Sequence, residues 1–261
     1  MDLMTVTFLG TGTSTGVPQL GCNCEVCRSE DERDKRLRSS ILIESQLANI
    51  LIDCGPDFRT QMLKLGGLRH LDAVLLTHEH YDHVGGIDDL RPYNVFGTTQ
   101  IYAEAPCAAH IRERLPYCFV QNKYPGVPQL DLKVCHLHES FTIGGLDIFP
   151  IRVMHGKAPI LGYRIGRMAY LTDIKSLPES EMVYLQNLDV LVLGALRFEP
   201  HATHESIDEA IRLSERIGAS RTYLIHMSHH AGLHASLEQY LPDGVYASYD
   251  NLKVNCELIC I

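Results

Sequence analysis

No stretch of this 261-residue sequence approaches the roughly 20 consecutive apolar residues that a transmembrane helix needs. A basic leader is missing from the opening MDLMTVTFLGTG, whose apolar run breaks at Gly10, so no secretory signal is read there. Excess positive charge is lacking too. The net charge is −9, which disfavours a surface built to neutralise the phosphates of a long nucleic acid. No internal repeat, low-complexity tract or linker divides the chain. Two nucleotide-binding signatures also fail. Gly10-Thr-Gly12-Thr-Ser-Thr-Gly16 is one residue too long for a dinucleotide turn, Pro18 follows where a helix should open, and G-K-[ST] does not occur. The run reads instead as a strand-to-loop turn that needs positive φ.

What remains is an ordinary globular composition, 45% hydrophobic and 21% charged, long enough to bury a full core. Short apolar runs bounded by turn residues predict strands at Thr5–Leu9, Ser40–Glu44, Ile50–Ile52, Ala73–Leu76, Gln100–Tyr102, Leu146–Val153, Met168–Leu171, Val190–Leu193 and Thr222–Ile225. Helices are predicted at Asp57–Leu65, Ala105–Arg114 and Ile207–Ile217. The last carries an S-x-x-E capping box, Ser206 to Glu209, and Gly218 just past its end. Leu115–Leu130, with three prolines, reads as an irregular insertion. The simplest architecture is a single α/β domain over residues 1–261, with two sheets covered by helices.

Nine cysteines is an odd count, and only Cys22, Cys24 and Cys27 cluster, as C-x-C-x-x-C. That pattern fits a reducing, cytoplasmic setting, where clustered thiols more often bind metal than pair as disulfides. A redox centre is the weaker alternative, because no C-x-x-C sits beside a thioredoxin-like βαβ unit.

The fourteen histidines are the anomaly. Thr77-His78-Glu79-His80-Tyr81-Asp82-His83 follows a predicted strand, and imidazoles two apart can close on one cation while Asp82 and His83 turn toward a second. His155, Asp173 and His226 each stand just after another predicted strand. Singly, each reads as an ordinary surface or core residue. Together with H-x-H-x-D-H they supply enough donors for two metals about 3.5–4 Å apart.

This constellation resembles the metallo-β-lactamase fold superfamily of metal-dependent hydrolases, and the likeness runs over nearly the whole chain. The resemblance implies an αββα sandwich of two mixed sheets with the site at one edge. It implies that His78, His80 and His155 hold one divalent ion, that Asp82, His83 and His226 hold the other, and that Asp173 bridges them. Asp53, in Leu51-Ile52-Asp53-Cys54-Gly55, matches the family's strand-end aspartate and would orient the H-x-H-x-D-H loop, though a helix-capping turn before Pro56 explains it as well.

His204, in Pro200–Ser206 ahead of the best-capped helix, resembles the additional histidine of the phosphodiesterase branch, which includes tRNase Z. It would assist the departing oxygen, with His201 as a rival. The N-terminal run Leu9–Ser14 and the Cys22–Cys27 loop are similar to the phosphonate-pathway cyclic phosphodiesterases, which open 5-phosphoribosyl 1,2-cyclic phosphate. That likeness implies a structural zinc in the loop at 16–27, with His229 joining Cys22, Cys24 and Cys27, and His230 adjacent to it. It also implies a homodimer.

The expectation is therefore a phosphodiesterase with zinc or manganese in the active site, acting on a small phosphorylated substrate. A tRNA-processing nuclease is the alternative, weakened by the absence of a long basic arm. A thioester or lactam hydrolase of the same fold is the other. Lys157 and Arg197 are candidate phosphate partners or simply solvated cations.

Overall fold

The computed structural model describes residues 2–258. In chain order its strands are β1 (Asp2–Gly10), β2 (Ser40–Glu44), β3 (Asn49–Ile52), β4 (Ala73–Leu75), β5 (Thr99–Ala103), β6 (Leu130–Val134), β7 (Phe141–Ile143), β8 (Leu146–His155), β9 (Ala158–Ile165), β10 (Met168–Leu171), β11 (Val190–Gly194), β12 (Arg221–Ile225), β13 (Val245–Ala247) and β14 (Lys253–Leu258). The α-helices are α1 (Phe58–Lys64), α2 (Tyr81–Val84), α3 (Ala105–Arg114), α4 (Ile207–Ile217) and α5 (His234–Tyr240).

The strands form two seven-stranded sheets, ordered β14-β1-β2-β3-β4-β5-β6 and β13-β12-β11-β10-β9-β8-β7. Each is antiparallel in one part and parallel in the other. The parallel ladders are β3–β4–β5–β6 in the first sheet and β10–β11–β12–β13 in the second.

Side-chain alternation decides which way each sheet faces. Ile41, Ile43, Ile50 and Ile52 of the first sheet meet Tyr163, Ile165, Tyr170 and Val192 of the second in a shared inner core. The intervening Leu42 and Leu51 face outward against Phe58 and Met62 of α1 and Cys107 and Ile111 of α3. Leu191, Leu193 and Leu224 likewise face Ile207, Ala210 and Leu213 of α4 and Leu237 of α5. Strands apolar on both faces must be covered on both faces, and the result is the expected αββα sandwich.

Helix α4 forms as its capping signals require. Ser206 Oγ accepts from Glu209 N–H at 3.3 Å, Ser206 N–H donates to Glu209 Oε2 at 2.7 Å, and Gly218 closes the helix at φ +70°. Leu115–Leu130 contains only a short 3₁₀ turn, Pro116–Cys118, before β6 begins. Among the described residues no helix is long and apolar enough to cross a membrane.

Candidate metal centre

The loops that follow β3, β4, β8, β10, β11 and β12 converge at one edge of the sandwich. Three of the residues there, Asp53, Asp173 and His226, have φ of +63°, +51° and +64°. The left-handed region is uncommon for non-glycine residues and costs of order 1–3 kcal/mol each, so it persists only where the surroundings fix it. At each position it reverses the chain just past a strand.

His78 and His80 bring Nε2 and Nδ1 to 2.9 Å of each other, and their rings lie 5.8 and 5.2 Å from that of His155. Hydrogen bonds set the tautomers. Asp53 Oδ1 accepts from Thr77 N–H at 2.9 Å, and the Thr77 hydroxyl donates to the same carboxylate at 3.0 Å. The Thr77 oxygen, 3.0 Å from His78 Nδ1, is then left to accept, so the proton of His78 sits on Nδ1 and its Nε2 lone pair faces the site. His155 Nδ1 lies 2.9 Å from two carbonyl oxygens, of Asp173 and Thr203, so it too must carry the proton and leave Nε2 free.

His83 donates from Nδ1 to Asp53 Oδ2 at 2.7 Å and aims Nε2 at Asp82 and Asp173, 3.2 and 3.1 Å away. His226 Nε2 lies 3.4 Å from Asp82 and 3.2 Å from Asp173. Against the cost of burial, the carboxylates of Asp173, Asp53 and Asp82 hold the pKa of His83 well above the usual imidazole value. Burial pushes the Asp173 carboxyl upward, yet His226 and His83 more than reverse this and hold it well below the usual range. The centre is built to hold positive charge, and a divalent cation meets the same demand.

Asp82, His83, Asp173 and His226 bring one donor atom each to within 4.8 Å of one another, as do His155, Asp173 and His204. Asp173 alone belongs to both sets, as a bridging carboxylate would. His204 stacks on His226 at 5.0 Å and puts Nδ1 3.8 Å from Asp173 Oδ1. Its loop is pinned at both feet. Glu205 N–H donates to Ile174 O at 2.6 Å, Ile207 N–H donates to Arg197 O at 2.9 Å, and Lys175 Nζ donates to Glu209 at 2.9 Å. His201 stands one ring further out, 5.2 Å from His204. Arg197 turns its guanidinium to the carbonyls of Glu199 and Pro200, within its own loop.

Two groups outside the predicted donor set, Thr77 and the Thr203 carbonyl, orient donors. Thr77 has a visible signal, since it directly precedes the first histidine. A backbone carbonyl has none.

The cysteine loop forms a second centre. His229 Nδ1 lies 3.6 Å from Cys22 Sγ and 3.3 Å from Cys24 Sγ, and Cys27 Sγ completes a group within 4.8 Å. Donors on a tetrahedral zinc are separated by about 3.5 Å, so the four fit a Cys₃His site. His229 supplies the nitrogen and exposed His230 does not. None of the eight described cysteines is in a disulfide. The Cys27 amide N–H, with His229 and Cys22, lowers the Cys24 thiol to about 6 against the effect of burial, which favours the thiolate a metal requires. Cys24→Ser is expected to release about one zinc per chain and to lower thermal stability. Unchanged metal content by elemental analysis would exclude the clip.

A family model described as a beta-lactamase superfamily domain matches residues 48–227. An octanoyltransferase of Porphyromonas gingivalis is 48% identical over 248 residues, 94% of this chain but 50% of that protein, so the chain spans about half the length of that curated relative. Among solved structures, a diphosphatase from the PhnP family is 38% identical with a TM-score of 0.92 and 99% of both chains covered. Zinc-bound PqqB from Methylobacterium extorquens has a TM-score of 0.78 at 21% identity, covering 96% of this chain and 99% of that one, a likeness of fold alone. The family model spans well over half of the sequence and the chain follows the PhnP-family structure over nearly its whole length, so the chain belongs to the β-lactamase superfamily and has the metallo-β-lactamase fold.

Proposed function

We propose that this hydrolase is a dinuclear metal-dependent phosphodiesterase acting on a small phosphorylated substrate, of the class of 5-phosphoribosyl 1,2-cyclic phosphate. The observation that carries the reading is the position of His204, stacked on His226 and 3.8 Å from Asp173 at the junction of both donor sets. In this proposal His78, His80 and His155 hold one zinc or manganese ion, Asp82, His83 and His226 hold the other, and Asp173 joins them. When bound, two such ions supply an activated water and neutralise phosphoryl oxygens.

The chain's own residues do the rest. Thr77, Asp53 and the Asp173 and Thr203 carbonyls keep the imidazole lone pairs turned inward. His204 points a neutral ring at the space above Asp173, where it can hydrogen-bond the oxygen that departs from phosphorus. A thiolate departs without such a group whereas an alkoxide leaving phosphorus does not, which sets the phosphodiester reading above a thioester hydrolase. The proposal includes a cytoplasmic homodimer without membrane or nucleic-acid partners, supported by the family resemblance and the acidic charge of −9.

A second reading has specific support. The PhnP-family structure 38% identical to this chain is that of a diphosphatase, which favours a diphosphate link as the scissile group. Purified, metal-loaded protein should be assayed side by side on ribosyl 1,2-cyclic phosphate, bis(p-nitrophenyl) phosphate, a nucleoside diphosphate sugar, a precursor tRNA and an acyl thioester. Turnover of the cyclic phosphate above the rest is expected. Preference for the diphosphate would select the second reading, tRNA cleavage alone would reverse the ranking, and faster thioester hydrolysis would end both phosphoryl readings.

A further inference from the structure

Strand β12 ends at Ile225, and the next four residues contain both His226 and His229, one donor for each centre. The backbone of Met227, between them, is held on one side. Its N–H donates to Thr11 O at 3.0 Å and its carbonyl accepts from Thr13 N–H at 3.1 Å. The other grip is Ser228, whose N–H donates to Leu196 O at 2.9 Å. His226 sits at φ +64°, a conformation that persists only where its surroundings fix it, and these contacts are part of those surroundings.

The Thr11–Thr13 segment lies past the end of β1 and needs support of its own. It comes from the buried Arg36 and the half-buried Asp250, of opposite sign. Asp250 Oδ1 accepts from both Thr11 N–H (3.0 Å) and the Thr11 hydroxyl (2.8 Å), and Oδ2 accepts from Leu37 N–H at 2.8 Å. Arg36, 3% exposed, donates from Nη1 to the same Thr11 hydroxyl at 3.0 Å and to Ser248 O at 2.6 Å. Gly12 N–H donates to Leu37 O at 2.7 Å, and a Cβ on Gly12 would stand 2.8 Å from Arg36 O, so the segment fits this bed closely. A buried charge such as that of Arg36 is costly and well-packed apolar residues often replace one without loss, so a network built on it points to a geometric task.

We infer that Asp250 and Arg36 are positioning residues that act through the Thr11 hydroxyl to hold the Met227 turn, and so set the aim of His226 and His229 together. Neither touches a donor atom of either centre. The inference rests on the metal reading above but not on the choice of substrate.

Thr11→Val removes the hydroxyl at nearly constant shape and keeps the backbone bonds to Met227. Thr11→Ser restores the hydroxyl, and Asp250→Asn removes an acceptor without changing volume. Ile148→Val, in the inner core, serves as a control for general loss of stability. The full-length chain is loaded with zinc, and release to a chelating dye is followed beside thermal unfolding and turnover of bis(p-nitrophenyl) phosphate.

Thr11→Val and Asp250→Asn are expected to lose zinc from both centres about 10-fold faster than wild type. They should also lower kcat more than they change KM. Thr11→Ser and Ile148→Val should retain zinc as wild type does. Wild-type zinc retention in Asp250→Asn and Thr11→Val, with only a fall in melting temperature like that of Ile148→Val, would overturn the inference. If Thr11→Val does not fold, Asp250→Asn against Thr11→Ser gives the same comparison. A wild-type chain that takes up no zinc would overturn the metal reading and this inference with it. Zinc retention that responds as expected in a protein inactive on every phosphodiester would leave the inference standing and remove only the substrate class.

Discussion

His204→Ala is expected to lower kcat by about 10²–10³, the range for loss of one positioned hydrogen-bond donor to a developing oxyanion, with the metal content of the active site unchanged. The reason for the separation is structural. The His204 loop is held by Glu205 to Ile174, Ile207 to Arg197 and Lys175 to Glu209, none of which involves the imidazole. Removing the ring therefore leaves the loop, and Thr203 O against His155, in place. Loss of one metal equivalent would instead identify His204 as a ligand beside His155 and Asp173, a spacing the structure permits. Full activity would remove it from the reaction.

The same residue predicts a pH profile. Burial first, then the neighbouring His226, lowers the pKa of His204 to about 3, with Asp173 opposing. A histidine lowered in this way is neutral throughout pH 5–8, so its single ring N–H is available across that window. The profile of kcat should show no limb from His204 there, and an acid limb near pH 6.5 that disappears in His204→Ala would contradict the assignment.

Asp53→Asn should weaken the affinity of the active site for its metals by about 10–100-fold while leaving the backbone unchanged. Asparagine tolerates the +63° φ of this position, so the substitution tests hydrogen bonding and not strain. The carboxylate now accepts from Thr77 N–H, the Thr77 hydroxyl and His83 Nδ1 at once. An amide offers one oxygen, and its NH₂ facing His83 would leave Nδ1 as the acceptor and move the ring proton to Nε2. That proton would then point at Asp82 and Asp173, where the lone pair is needed. Chelator competition measures the affinity, and excess metal should restore part of the activity. An affinity equal to wild type would show that His83 does not depend on Asp53 for its tautomer.

The donor set was legible because the ligands either crowd into one short motif or stand directly after apolar runs. His78 to His83 needed only proximity in sequence, while His155, Asp173 and His226 needed their strands recognised first. Two sheets covered by helices followed from the same runs, and the αββα order of the layers from the family resemblance. Five strands were missed, and β9 explains why. Pro159 and Gly162 interrupt its pattern, yet both are accommodated by the packing. Met154, opposite Pro159, sends its N–H to Ser176 O instead of across the ladder. A Cβ at Gly162 would stand 2.5 Å from Leu171 and 2.9 Å from Tyr170 O, so the neighbouring strand requires a glycine there. β6 starts at the last residue of the predicted irregular segment and carries two charged residues in five, and β7 and β13 are three residues each, below the length at which alternation can be read. The Arg36–Thr11–Asp250 network joins residues up to 239 positions apart, which no local pattern encodes.

Under the proposed loading, the donors for each ion come from both sheets. His78, His80, Asp82 and His83 follow β4 of the first sheet, whereas His155, Asp173, His204 and His226 follow β8, β10, β11 and β12 of the second. The cysteine clip repeats the division, with its thiols after β1 and its imidazole after β12. Under the proposed loading each ion is thus a rivet through the sandwich at a single seam, and the free energy of ion binding is also adhesion between the two halves. Scarcity of metal would then loosen that seam as well as silence the chemistry, and would offer a protease an opening in the starved chain that the loaded one keeps shut.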